Sequence, residues 1–179
     1  MMDTKGKVVV GVDGSESSVQ ALLLAARLAP ALEAAIHAVA VWELPPVYAD
    51  ETGYVPPDFD TTEAIEAAEA AEAKILADTV AKAFGPDVPR NLSQELIRGP
   101  ARDKLVEAGA GAALLVVGRR GHGGFLGLHL GSVSSACVSH ADCPVLVVRS
   151  DGEVHAEGSP RTHHLWKGSK TKGQNPSTA

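Results

Sequence analysis

The stretch AALLVVGRRGHGGFLGLHLGSVSS, residues 112–135, joins an apolar run to a glycine-rich segment and then to the start of a helical pattern. The apolar run over 112–117 predicts a buried strand. From Val116 to Ser135, six of the twenty residues are glycine. Glycine costs conformational entropy and adds no side chain to a core, so this density indicates backbone that must approach another group closely.

Outward from this stretch, strand patterns alternate with helical patterns along the chain. Strands are predicted over residues 7–12, 36–42, 92–97, 112–117 and 145–149. Helices are predicted over residues 18–32, 61–84, 101 to about 108 and 132 to about 140. Ser15 and Ser17 are N-cap candidates for the first helix, and Ser132 could cap the last helix, bind phosphate or do both. This order predicts an α/β fold with right-handed crossovers and a parallel sheet that carries helices on both faces.

Composition separates a domain from a tail. The 179 residues suit one domain, which we expect over residues 1–150. Residues 151–179 are rich in glycine, serine, lysine and histidine, and they predict a disordered C-terminal tail. No internal repeat is evident.

Charge and cysteine content exclude several classes of protein. Sixteen basic and 22 acidic residues leave a formal charge of −6, which argues against binding to nucleic acid or to an anionic membrane. Arg27, Pro30, Glu33 and His37 interrupt the longest apolar region, so no membrane span is predicted. Cys137 and Cys143 have no partners at zinc spacing and are expected to be core or near-core thiols. We therefore expect a cytoplasmic protein in a reducing compartment.

The glycine-rich segment has the features of a phosphate cradle. Glycines let backbone N–H groups converge on an anion, and the start of the following helix adds unpaired N–H groups and partial positive charge. Ser132 and Ser134 can donate hydroxyls, Arg119 and Arg120 can balance charge, and His122 lies beside them. The candidate residues of this segment are Gly118, Arg119, Arg120, Gly121, His122, Gly123, Gly124, Gly131, Ser132, Val133 and Ser134. Neither a P-loop nor a dinucleotide fingerprint fits this spacing.

In an open parallel sheet, ligands bind beyond the carboxyl ends of the strands. The loops that reach this edge are residues 11–15, the stretch after Val41, the Gly99-Pro100 pair and the glycine-rich segment. Asp13 could cap the first helix or contact a ligand, and Gly14 follows it in the same turn.

The spacing Gly118-x2-Gly121-x9-Gly131-Ser132 resembles the ATP-binding signature of the universal stress protein family. VVVGVDGSESS at 8–18 resembles the first strand of that family, HAVAVWE at 37–43 its second strand, and IRGPARDKLVEAGA at 97–110 its third strand and following helix. Residues 113–149 resemble its fourth strand, loop, helix and fifth strand. The resemblance covers roughly residues 5–149. Arg119 is bulkier than the small residue that is usual in the family, and His129 replaces an aliphatic one.

The resemblance implies a sheet in the order 3-2-1-4-5 and a homodimer formed through the fifth strand, Val145 to Arg149. It implies that Gly11, Val12 and Asp13 border the adenine and ribose of ATP, with Val41 on the adenine. Gly118, Gly121, Gly131, Ser132, Val133 and Ser134 would hold the ribose and phosphates, with or without Mg²⁺. The implied role is that of a nucleotide-dependent regulator of stress response or dormancy that acts on an unidentified protein partner.

Three functions remain open from the residues. The first is an ATP-binding regulatory dimer that turns ATP over slowly or not at all. The second is a slow Mg²⁺-dependent ATPase or phosphotransferase, for which His122 is the candidate base. The third is a dimeric scaffold without bound nucleotide. The intact glycine spacing favours the first over the third, and the lack of an evident general base favours it over the second.

Overall fold

Five parallel strands alternate with four helices in the computed structural model, which describes residues 6–43, 61–119 and 130–150. The strands are β1 (Lys7–Val12), β2 (Ala35–Trp42), β3 (Leu92–Arg98), β4 (Leu114–Gly118) and β5 (Val145–Val148). The helices are α1 (Glu16–Leu28), α2 (Thr61–Phe84), α3 (Ala101–Ala108) and α4 (Ser132–His140). The sheet order is β3-β2-β1-β4-β5, and every neighbouring pair is parallel, which confirms the predicted fold class.

Each strand contributes alternate side chains to two separate cores. Val8 and Val10 point into a core that α1 and α2 cover with Leu22 and Leu76. Val9, between them, points into a second core that α3 and α4 cover. Because side chains alternate along a strand, a continuous apolar run fills both faces of a parallel sheet.

The first helix is shorter than predicted. Its pattern predicts helix as far as Leu32, but α1 ends at Leu28, and that boundary was wrong. Pro30 has no backbone N–H and cannot continue the helical ladder. Glu33 adopts a positive φ of 49°, and the Ala34 N–H then donates to the Ala29 carbonyl at 3.0 Å. The chain thereby turns into β2.

Serine caps one of the two predicted helix starts. The Ser15 side chain accepts from the Ser18 N–H at the start of α1, as predicted. Ser132, which could have capped α4, does not do so, because Gly131 occupies the N-cap and Ser132 is the first helical residue. α4 therefore begins without a capping side chain.

The strand order places a switch point beside β1. The chain passes from β1 through α1 to β2 on one side, whereas β4 pairs with β1 on the other side. At such a point the connections leave the sheet in opposite directions and open a crevice at the carboxyl edge. The ends of β1 and β4, at Val12 and Gly118, flank this crevice.

Candidate functional site at the carboxyl edge

Asp13 lies directly after β1, exposed at the carboxyl edge of the sheet. Its Oδ1 accepts from the Ser15 N–H at 3.1 Å and from the Ser15 hydroxyl at 2.6 Å. Gly14, between them, has φ +80°, a conformation that glycine adopts without strain. Within the residues that the structure describes, Asp13 Oδ2 accepts no hydrogen bond, so one carboxylate oxygen is anchored and the other is not.

The other candidates on β1 and β2 are mostly packing residues. A Cβ on Gly11 would lie 3.0 Å from a methyl carbon of Leu105, so this glycine allows α3 to approach the sheet. The Val12 side chain is buried in the core under α1 and α2. Val41 is half-buried and packs against the opposite core, at the end of β2.

Gly118 ends β4 in close contact with the start of α1. A Cβ at this position would lie 2.3 Å from Ser17 Oγ and 2.9 Å from Ser17 Cβ. Ser17 is buried. The group that requires glycine here is thus a serine of the same chain, which packs where a side chain would otherwise lie.

The two ends of the glycine-rich segment are joined by hydrogen bonds. The Gly131 N–H donates to the Arg119 carbonyl at 2.8 Å, and the Arg119 N–H donates to the Val148 carbonyl at 2.6 Å. The Ser134 hydroxyl donates to the Gly118 carbonyl at 2.5 Å, and Ser134 is buried. These bonds hold the first turn of α4 against the end of β4.

The start of α4 carries the electrostatic features of an anion site. Its first-turn N–H groups donate no hydrogen bond to a capping side chain. α1, α2 and α3 each have an acidic residue in the first turn, whereas α4 has none. Unpaired N–H groups and the helix dipole both favour an anion at such an end.

The serines of this turn differ in what they can offer. Ser132 is exposed, whereas the single hydroxyl hydrogen of Ser134 is already donated to a carbonyl. Val133 is half-buried against the core under α3 and α4. The predicted site residues Arg120, Gly121, His122, Gly123 and Gly124 lie outside the described residues, as do residues 151–179.

The thiols are not placed for chemistry at this edge. Cys137 is fully buried in α4, and burial raises its pKa to about 11, with the neighbouring Cys143 adding to the shift. Burial also raises the pKa of Cys143. A thiol with a raised pKa is a weak nucleophile at neutral pH. Across the described ranges, no group of three or more histidine, cysteine or acidic side chains could hold a metal ion.

A polar group that the sequence analysis did not single out lies away from this edge. His37 is buried on β2, with Ser93 and Glu95 of β3 at its two ring nitrogens. A cavity of about 260 Å³ adjoins it, lined also by Lys7, Ile97, Lys104, Glu107 and Ala108. In the sequence, this group is visible only as one histidine within an apolar run. Its partners, Ser93 and Glu95, lie far along the chain on β3, so their contact with His37 could not be predicted.

Comparisons with known proteins agree with this architecture. The model of the universal stress protein family matches residues 5–149. The universal stress protein Rv2005c of Mycobacterium tuberculosis is 35% identical over 142 residues, which cover 79% of this chain and 45% of that protein. The chain thus spans less than half the length of this curated relative.

Solved structures share the fold. UspA from Lactobacillus plantarum is 25% identical, covers 81% of this chain and 98% of its own, and has a TM-score of 0.61. A universal stress protein solved in complex with cAMP is 25% identical and covers 82% of this chain and 98% of its own; its TM-score of 0.49 is too low to place a ligand in this chain.

Among the described residues, no helix is both long and apolar enough to cross a membrane.

Proposed function

The chain belongs to the universal stress protein family, and we propose that it binds ATP at the carboxyl edge of its sheet as a nucleotide-dependent regulator. The main structural support for this proposal is the N-terminal end of α4. Its first turn lacks both a capping side chain and an acidic residue, beside the ends of β1 and β4. Family resemblance supplies the expectation of ATP, and the geometry is consistent with a polyanion at this position.

The phosphate end would combine backbone N–H groups with a few side chains. With Gly131 at the N-cap, no capping side chain occupies the first-turn N–H groups of α4, and exposed Ser132 adds a hydroxyl at the same end. Arg119 would contribute charge from the end of β4. Mg²⁺, if bound, would be held chiefly by the ATP phosphates, since the described residues include no metal cluster.

The nucleoside end would lie beside β1 and β2. Asp13 has one carboxylate oxygen, Oδ2, that accepts no hydrogen bond from the described residues, and a carboxylate is a strong acceptor for ribose hydroxyls or an exocyclic amino group. Half-buried Val41 offers an apolar surface for the base at the end of β2. A small pocket of this kind combines apolar contact with a few convergent polar groups.

Binding, rather than rapid turnover, is the proposed activity. Phosphoryl transfer needs a group that positions or deprotonates the nucleophile. In the described part of the phosphate end, the first turn of α4 contributes only Ser132, Val133 and Ser134. We accordingly propose that bound ATP alters affinity for a protein partner in stress response or dormancy, in the cytoplasm.

A homodimer is part of the same proposal. β5 is an edge strand made entirely of apolar residues, Val145–Val148, each half-buried. The opposite edge, β3, carries Ser93, Gln94, Glu95 and Arg98. Because an unpaired apolar edge favours strand addition, a second copy would pair at β5 rather than at β3.

The test compares two substitutions at Gly131, whose φ of −68° any residue adopts. Gly131→Asp and Gly131→Asn both provide a cap and should raise the melting temperature of the free protein. Only the aspartate adds a negative charge where the phosphates would lie. In calorimetric titrations with Mg·ATP, we expect the aspartate variant to bind at least about tenfold more weakly than the asparagine variant.

Two results would contradict the proposal. Wild-type protein that shows no heat of binding and no thermal shift at millimolar Mg·ATP would exclude ATP as the ligand. If both Gly131 variants bind Mg·ATP with wild-type affinity, the start of α4 does not contact the phosphates.

A further inference from the structure

Two serine hydroxyls of the α1 start lie between the ends of β1 and β4. Ser15 Oγ lies 2.6 Å from Asp13 Oδ1 and 3.0 Å from Ser17 Oγ. Ser17 in turn is packed against Gly118, where a Cβ would lie 2.3 Å from its hydroxyl oxygen. A continuous chain of contacts therefore joins the nucleoside side of the proposed site to its phosphate side.

The available hydroxyl hydrogens determine which group donates in each of these hydrogen bonds. A carboxylate only accepts, so the single hydroxyl hydrogen of Ser15 is donated to Asp13. In a hydrogen bond between the two serines, Ser17 would therefore be the donor and Ser15 the acceptor. Donation toward a charged acceptor strengthens each hydrogen bond along such a series.

We propose that Ser15 is a positioning residue that orients the Asp13 carboxylate toward the nucleoside of the bound nucleotide, an inference that rests on the proposed function. Two donors from Ser15, its N–H and its hydroxyl, hold Oδ1. The carboxylate can then turn little, and Oδ2 is presented to donors such as ribose hydroxyls. Ser17 packs the same turn against Gly118, which fixes the distance between Asp13 and the glycine-rich segment that begins at Gly118.

The positioning role is separable from helix capping. Capping uses Ser15 as an acceptor, from the Ser18 N–H at 3.2 Å, and requires no hydroxyl hydrogen. Positioning uses Ser15 as a donor. An aspartate at this position keeps the cap but cannot donate, whereas a threonine keeps both properties.

The experiment measures Mg·ATP affinity of the full chain by calorimetry for Ser15→Asp and Ser15→Thr, each alone and combined with Asp13→Ala. We expect the aspartate variant to remain folded with its helix cap retained, yet to bind ATP about tenfold more weakly. The threonine variant should bind within about twofold of wild type. In the Asp13→Ala background, Ser15→Asp should cause no further loss, because the carboxylate that it orients is gone.

Ser18→Ala is the matched control. Ser18 is buried in the same turn and donates to the Ser15 carbonyl at 2.8 Å, but it does not contact Asp13. Its removal should lower stability and leave ATP affinity unchanged. If Ser15→Asp binds ATP with wild-type affinity, the inference is overturned. It is also overturned if Ser15→Asp causes an equal loss of affinity in the Asp13→Ala background, because charge repulsion alone would then explain the loss. Wild-type protein without ATP binding would instead overturn the proposed function itself.

Discussion

His37 Nε2 lies 2.6 Å from Glu95 Oε2, across the parallel pair of β2 and β3. His37 pairs in register with Ser93, and Glu95 is two residues farther along, so all three side chains lie on one face of the sheet. Ser93 Oγ lies 2.8 Å from the other ring nitrogen. Both nitrogens of this buried imidazole therefore have a hydrogen-bonding partner, and each partner offsets part of the cost of burying the ring.

The first prediction concerns this pair. Glu95→Ala leaves the Nε2–H of His37 without its acceptor in a buried position. We expect the free energy of unfolding to fall by about 1 kcal/mol, a reduced value because the Glu95 side chain is 40% exposed. Urea denaturation measures the loss.

Two variants serve as controls for it. Glu95→Gln retains an acceptor oxygen and should recover most of the stability. Glu107→Ala removes an exposed partner of Lys104 and should cost less than about 0.5 kcal/mol. Equal stabilities of Glu95→Ala and wild type would show that the contact does not stabilise the fold.

The second prediction concerns the packing of Ser17 on Gly118. Gly118→Ala forces a Cβ to within 2.9 Å of Ser17 Cβ, and overpacking of this kind costs about 1–3 kcal/mol. Ser17→Gly in the same chain removes the two closest atoms and should restore part of the stability. Thermal unfolding of both single variants and the double variant measures this coupling. Additive effects would indicate that the two positions do not clash.

The third prediction concerns the β5 edge. Val145→Lys places a charge at the proposed dimer contact, so the sedimentation coefficient should shift toward that of a monomer. Gln94→Lys adds the same charge to the opposite edge, at an exposed position on β3, and should leave the assembly unchanged. An unchanged sedimentation coefficient for Val145→Lys would contradict pairing through β5.

The fourth prediction concerns alkaline pH. Burial raises the pKa of the Cys137 thiol to about 11, above the roughly 8.5 of a free cysteine. The unfolded chain therefore loses its thiol proton first as the pH rises, and the stability that Cys137 contributes declines between about pH 8.5 and 11. In urea titrations over this range, Cys137→Ala should show a shallower decline than wild type. Parallel curves would mean that this thiol does not ionise differently in the two states.

The sequence by itself determined the elements and their order. Its apolar runs and helical spacings are local properties, so α2, α3 and α4 begin where their patterns predict. The error at Leu32 also had a local cause, because Pro30 outweighed the periodicity around it. The spacing of Gly118 and Gly131 was likewise visible in the sequence, and it pointed to the correct family.

Only the tertiary structure decided what these residues contact. Gly118 packs against Ser17, Ser134 donates to the Gly118 carbonyl, and Asp13 is held by Ser15. His37 and Glu95 are far apart in the chain and meet because β2 and β3 pair in one register. Hydrogen bonds and packing act over a few ångströms in space, and strand order, not distance along the chain, determines which groups come within that range.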